Sequence, residues 1–241
     1  MNTDSLKHEL HASRDLYARA SSVERAVSLQ KHIVTLADQI LKRTPGDPDA
    51  ILAKALMMHI GPPYDSAAAQ ALLDSLCMSE LTISQLIQAG DLQHFVDAPE
   101  RAEIIFREAL RRDPDCYEGM VHLPNLSRER GTSVTSDEAH ELVERARRLR
   151  PDRYEAYNMS AWLMLDKDDV NGAVQELEEA LCRLGADQTV MRRALNDSIT
   201  RLLRTRRDAN NQRYVAPTVN LTEIWRVLSN RALRFVRRKG K

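Results

Sequence analysis

An all-α array of repeated helix pairs is the fold class this sequence predicts, and three observations predict it. A four-position motif recurs as Ala102, Phe106, Ala109 and Pro114, then Ala139, Val143, Ala146 and Pro151, then Ala173, Leu177, Ala180 and Gly185. Its starts lie 37 and 34 residues apart, and a period of about 34 residues marks stacked helical pairs. Small residues at the first and third positions let two helices approach, a large apolar one between them fills the gap, and Pro or Gly ends the helix. Composition agrees. Aromatic residues make up 5% of the 241 residues and there are only eight glycines, too few for turn-rich β structure. The remaining Ala, Leu, Arg, Glu and Gln are good helix formers. Finally, Pro45-Gly46, Gly61-Pro62-Pro63, Pro99, Pro114 and Pro151 divide the chain into segments of helical length.

In order, residues 5–20 predict a first helix with Leu6, Leu10, Leu16 and Tyr17 on one side. Ser21 or Ser22 caps a second, whose stripe is Val27, Ile33, Leu36, Ile40 and Leu41. A third runs from about Asp49 to Ile60, with Pro48 near its first position. Asp65 or Ser66 opens a fourth containing Ala68, Leu72, Leu73 and Leu76, and residues 82–95 form a fifth. Pro99 starts the sixth, which carries the first full copy of the motif. Residues 117–130 and 136–149 form one pair, and residues 153–165 and 171–184 the next. A long helix over about 187–207 buries Val190, Leu195, Ile199, Leu202 and Leu203. Short loops predict antiparallel neighbours.

At 43% hydrophobic and 29% charged, the composition is that of a soluble globular protein. Residues 1–12 hold no apolar run and no stretch is apolar enough to span a membrane, which predicts a cytoplasmic protein. Cys77, Cys116 and Cys182 form no CxxC pair and read as buried or half-buried free thiols. Charge is uneven: residues 186–241 hold 14 Lys and Arg against 4 Asp and Glu, leaving 21 basic against 31 acidic residues elsewhere. The expected organisation is an N-terminal helix over 1–21, a repeat array over 22–185 and a basic capping helix over 186–207. A linker over 208–219 and a basic amphipathic helix over 220–241 follow.

The three copies resemble the tetratricopeptide repeat family, which pairs two helices in about 34 residues with Ala, a large apolar residue, Ala and Pro on the second. On the first helix of the last copy, Tyr157, Ser160, Ala161 and Met164 stand where the family usually has Trp, Leu, Gly and Tyr. The resemblance implies a right-handed superhelix, a tetratricopeptide-like α-solenoid, followed here by the C-terminal amphipathic helix. It implies a concave groove made mostly by the first helix of each pair. Counted from Tyr154, that register places Glu155, Asn158, Trp162 and Asp166 in the groove; counted from Tyr117, it places Glu118, Val121, Asn125 and Glu129 there, with Arg128 beside them. Asn can bond a peptide backbone in both directions, and Trp162 can anchor an apolar or cationic side chain. Members that grip the carboxylate tails of heat-shock chaperones use Lys, Arg and Asn at places held here by Glu118, Glu155 and Met159, which argues against that ligand.

The expected function is therefore an adaptor or chaperone-like scaffold holding a protein or peptide segment. The alternative is a peripheral anchor acting through the basic end. Its basic residues include Arg204, Arg206 and Arg207 on the long helix and Arg231, Arg234, Arg237 and Arg238 on the last. That last helix fits three roles: a cap, docking on a partner or in the chain's own groove, or contact with an anionic membrane or nucleic acid. No motif for sequence-specific base reading is present. His8 and His11 flank Glu9 at the wrong spacing for a zinc helix, and there is no Gly-rich phosphate loop or GxSxG. No catalytic residue, metal or cofactor is expected, although an accessory subunit of an enzyme fits the same pattern.

Overall fold

The computed structural model describes residues 2–20, 22–61, 64–185 and 189–209. Among them are eleven α helices and two 3₁₀ turns, and no strand. They fall into two compact units divided between Ile105 and Phe106.

The first unit holds α1 (Thr3–Ala18), α2 (Val23–Arg43), α3 (Pro48–Ile60), α4 (Ser66–Asp74), a 3₁₀ turn (Met78–Glu80), α5 (Ile83–Phe95) and the start of α6 (Pro99–Arg112). Most starts follow from a capping side chain that accepts one of the free first-turn N–H groups. Asn2, Ser22, Asp47 and Asp65 cap α1 to α4, and Thr82 with Gln85 forms a reciprocal capping box on α5. Leu6 and Leu10 share a core with Ile33, Leu36, Ala37 and Ile40 of α2 and Ala50, Ala53 and Met57 of α3. Asp47 is 3% exposed, and Lys7 Nζ lies 2.5 Å from its carboxylate, so one buried acid both caps α3 and ties α1 to it. A Cβ at Gly61 would sit 2.1 Å from the buried Gln30 amide, whose Nε2 donates to the Met57 carbonyl, so any larger residue there would have to displace that amide.

Two apolar assignments in this unit are corrected. Leu16 is 45% exposed, because α1 turns it away from the core that holds Leu6 and Leu10. Leu76 lies beyond α4, which ends at Asp74. The thiols are also more open than expected: Cys77 and Cys182 are exposed and only Cys116 is buried.

His59 stacks on Phe95 with ring centroids 6.4 Å apart, and burial pushes its pKa down. The folded state therefore resists a proton that the unfolded chain takes up near pH 6.5. The contribution of His59 to stability is constant above that pH and is lost as pH falls below it. Thermal unfolding at pH 5.5 should precede that at pH 7.5, and His59→Phe should shrink the difference; an unchanged difference would assign the effect elsewhere.

The second unit continues α6 and adds α7 (Tyr117–His122), a 3₁₀ segment (Leu123–Arg128), α8 (Ser136–Leu149), α9 (Tyr154–Leu165), α10 (Val170–Arg183) and α11 (Thr189–Ala209). The six motif alanines, Ala102, Ala109, Ala139, Ala146, Ala173 and Ala180, are all fully buried. Phe106, Val143 and Leu177 between them are 1–2% exposed. Here the motif's physical rationale and its packing agree. The prolines add a second device. Arg145 donates to the Pro114 carbonyl at 2.8 Å and Arg183 to the Pro151 carbonyl at 2.9 Å, so the next second helix reaches back to the end of the preceding repeat. Arg183 and Arg147 also both stand over the Tyr157 ring, with guanidinium carbons 3.8 and 4.6 Å from its centre.

The expected helix over 117–130 is corrected. It is α-helical only to His122 and then tightens into 3₁₀. Pro124 is the cause: it has no N–H to continue the α ladder, while Leu123 before it keeps α geometry at φ −59° and ψ −42°. Thr132 Oγ1 closes the segment onto the Leu126 carbonyl at 2.6 Å, and Gly131 turns the chain at φ 86°. On α11, Leu195, Ile199 and Leu202 close the core of α9 and α10, but Leu203 is 44% exposed. The linker and final helix, beyond residue 209, lie outside the described residues.

Candidate partner-binding face

The first helices of the last two pairs meet side by side. Two links fix their register. Tyr117 donates its hydroxyl to Glu155 Oε2 at 3.5 Å, and Arg128 Nε lies 2.9 Å from Asp166 Oδ1. Both links join residues 38 apart, so the α7 segment and α9 run parallel and in step from one end to the other.

At the first end, the residue before α9 is Arg153, which supplies no side-chain cap. The Tyr117 hydroxyl takes that role from the preceding repeat, accepting from the Ala156 N–H at 3.3 Å. Arg153 grips Glu155 with two bonds of 2.6 and 3.1 Å and stands over the Tyr117 ring at 5.2 Å. Burial and then the Glu155 carboxylate push the Tyr117 phenol well above its ordinary range. Burial and then Glu155 also push Tyr154 up to about 12. At the far end, burial raises the Asp166 carboxyl while Arg128 and His140 pull it down, with burial winning.

Between the two ends, every residue of α9 from Ala156 to Leu163 is buried. Buried polar side chains nearly always find a hydrogen-bond partner. Here two polar atoms do not: Asn158 Oδ1 and Trp162 Nε1 are buried and unbonded. They sit four residues apart, one helical turn along the same face. Asn158 is 4% exposed and Trp162 7%.

No family model and no curated protein matches the sequence. Solved structures do. A thermophilic tetratricopeptide protein of Thermus thermophilus superposes at a TM-score of 0.59 with 17% identity, over 82% of this chain and 98% of its own. PilF of Pseudomonas aeruginosa does so at 0.58 with 16% identity, over 86% and 89%. A tetratricopeptide repeat protein from Parabacteroides merdae gives 0.52 with 13% identity, over 83% and 77%. The chain has the tetratricopeptide repeat fold.

Within the tetratricopeptide fold, the residues read from register fall into three groups. Asn158 and Trp162 are buried with free bonding capacity. Glu155, Arg128 and Asp166 are committed to ion pairs. Glu118 is exposed, and Asn125 is half-buried on the 3₁₀ segment. Of the acidic residues that the register places in the groove, Glu155 and Asp166 are ion-paired. Arg150 and Arg153 are held charged first by Asp152 and Glu155, and each also feels the Glu118 carboxylate. Tyr117 and Arg153 were missed as contributors; a helix cap supplied from 39 residues away leaves no local signal. Arg204, Arg206 and Arg207 fall on the α11 backbone, with side chains outside the described set, and Arg231, Arg234, Arg237 and Arg238 lie outside the described residues. Among the described residues no His, Cys, Asp and Glu grouping could hold a metal, and no helix is long and apolar enough to cross a membrane.

Proposed function

We propose that this protein is a non-catalytic adaptor that holds an extended segment of a partner protein along the strip formed by α7, the 3₁₀ segment and α9. The observation that carries the reading is the pair of unbonded buried atoms, the acceptor Asn158 Oδ1 and the donor Trp162 Nε1. An extended backbone offers one donor and one acceptor per residue, so a single segment can satisfy both atoms. Each unmade bond costs about 1–3 kcal/mol in the free protein, a cost that such a segment offsets on binding. Fixing the register at Tyr117–Glu155 and Arg128–Asp166 preorganises the strip, which reduces the cost of capture.

The test is quantitative co-purification with full-length protein and with Asn158→Ala and Trp162→Ala, folding being checked by circular dichroism. A bound protein whose recovery falls about tenfold or more in both variants, roughly 1.4 kcal/mol, supports the reading. Equal recovery of every bound protein by all three would remove it.

A further inference from the structure

We infer that Tyr117 is the positioning residue of this face: its hydroxyl, supplied by the preceding helix pair, is the N-cap of α9 and so sets where Asn158 Oδ1 and Trp162 Nε1 stand. Its effect on partner capture rests on the adaptor reading above. In α1 to α5, α8 and α10, the residue before the helix bonds the N–H of the third helical residue with its own side chain. That bond satisfies one of the donors a helix start leaves open, and losing it lets the first turn fray. In α9 the third residue is Ala156, and the acceptor for its N–H is the Tyr117 hydroxyl at 3.3 Å, from 39 residues upstream. Arg153 precedes the helix but turns its side chain to Glu155 and the Tyr117 ring instead.

The hydroxyl is itself held in place. Tyr117 is 5% exposed, and while accepting from Ala156 it donates to Glu155 Oε2 at 3.5 Å. One phenol oxygen thus ties α7 to two successive residues in the first turn of α9. Without it the Ala156 N–H loses its acceptor in a residue wholly shielded from water, a costly state for a backbone donor. Asn158 follows Ala156 by two residues and Trp162 by six, which is about 3 and 9 Å along the helix axis. A shift of the first turn is therefore carried to both atoms. α9 takes up its place only with α7 stacked beside it, so the two unbonded atoms are set by the preceding pair and not by α9 alone.

The experiment introduces Tyr117→Phe into the full chain, which keeps the ring beneath Arg153 and removes only the hydroxyl. A Trp225→Phe background leaves Trp162 as the one tryptophan. Amide exchange at Ala156 should speed up about fivefold or more while Ala37 in α2 keeps the parent rate, and Trp162 emission should shift. Recovery of the protein that co-purifies with the parent should fall about fivefold or more, although Asn158 and Trp162 are intact. Adding Arg153→Asn gives α9 a cap of its own and should bring Ala156 exchange and Trp162 emission back toward parent values. Ala156 exchange or Trp162 emission left unchanged by Tyr117→Phe would overturn the inference. So would unchanged recovery where Asn158→Ala lowers it, or an equal rise in exchange at Ala156 and Ala37, which would make Tyr117 a residue of the fold at large. If Ala156 and Trp162 respond as expected but parent, Asn158→Ala and Trp162→Ala recover every protein equally, the adaptor reading falls and the positioning of α9 by Tyr117 stands.

Discussion

Phe106→Ala is expected to destabilise the protein by about 3–5 kcal/mol, the usual cost of emptying a buried aromatic site. Phe106 is 1% exposed, lies between the fully buried Ala102 and Ala109, and stacks on His122 at 5.6 Å with the rings 24° apart. The flanking alanines are already fully buried, which leaves little slack for the surroundings to collapse into the void. Phe106→Leu keeps much of the volume and should lose about half as much or less. Denaturant unfolding followed by circular dichroism measures both. A loss below about 1 kcal/mol for the alanine variant would show that the site collapses, and that the large residue of the motif is not a packing requirement.

The second expectation has the opposite sign. Asn158→Leu should stabilise the free protein by about 1 kcal/mol, because it replaces an amide whose buried Oδ1 is unbonded with an apolar group of similar size. For a chain of this length that is a rise of roughly 2–4 °C in melting temperature. On the proposed adaptor function, the same substitution should abolish partner capture, because it removes the unbonded acceptor Asn158 Oδ1. Gain of stability with loss of binding is the mark of a residue kept for function at a cost to folding. A melting temperature that falls by several degrees would mean that the Asn158 amide holds the fold together, and the strip would lose one of its two anchors.

Much of this architecture was legible because its causes are local. Ala139, Ala146, Ala173 and Ala180 are read from sequence as close-approach positions, and all four are fully buried. Ser22, Asp65 and Thr82 announce helix starts by the chemistry of their own side chains, and each caps its helix. Misreadings arose where two neighbouring residues compete for one buried position, as Leu202 does with Leu203, since a period of 3.6 residues leaves either one acceptable. Pro124 stands in plain view in the sequence, yet counting α-helical positions through it carried Asn125 and Arg128 along a helix that had already tightened. At the strip, register singled out Asn158 and Trp162, but that their atoms are buried and unbonded is a property of everything packed around them. The Tyr117 cap on α9 was invisible for the same reason: its two partners are 39 residues apart.

The 3₁₀ segment at Leu123–Arg128 has a consequence beyond its own geometry. An array of identical repeats presents the same surface at every step, so a bound strand can slip along it by one repeat and find an equivalent seat. Here the translational degeneracy is broken. One first helix is wound differently from the next, and the salt link Arg128–Asp166 starts from the wound-down part. On the proposed adaptor function, a strand lying beside α9 would therefore have one frame in which it fits, and displacement by a repeat would leave it out of phase with its contacts.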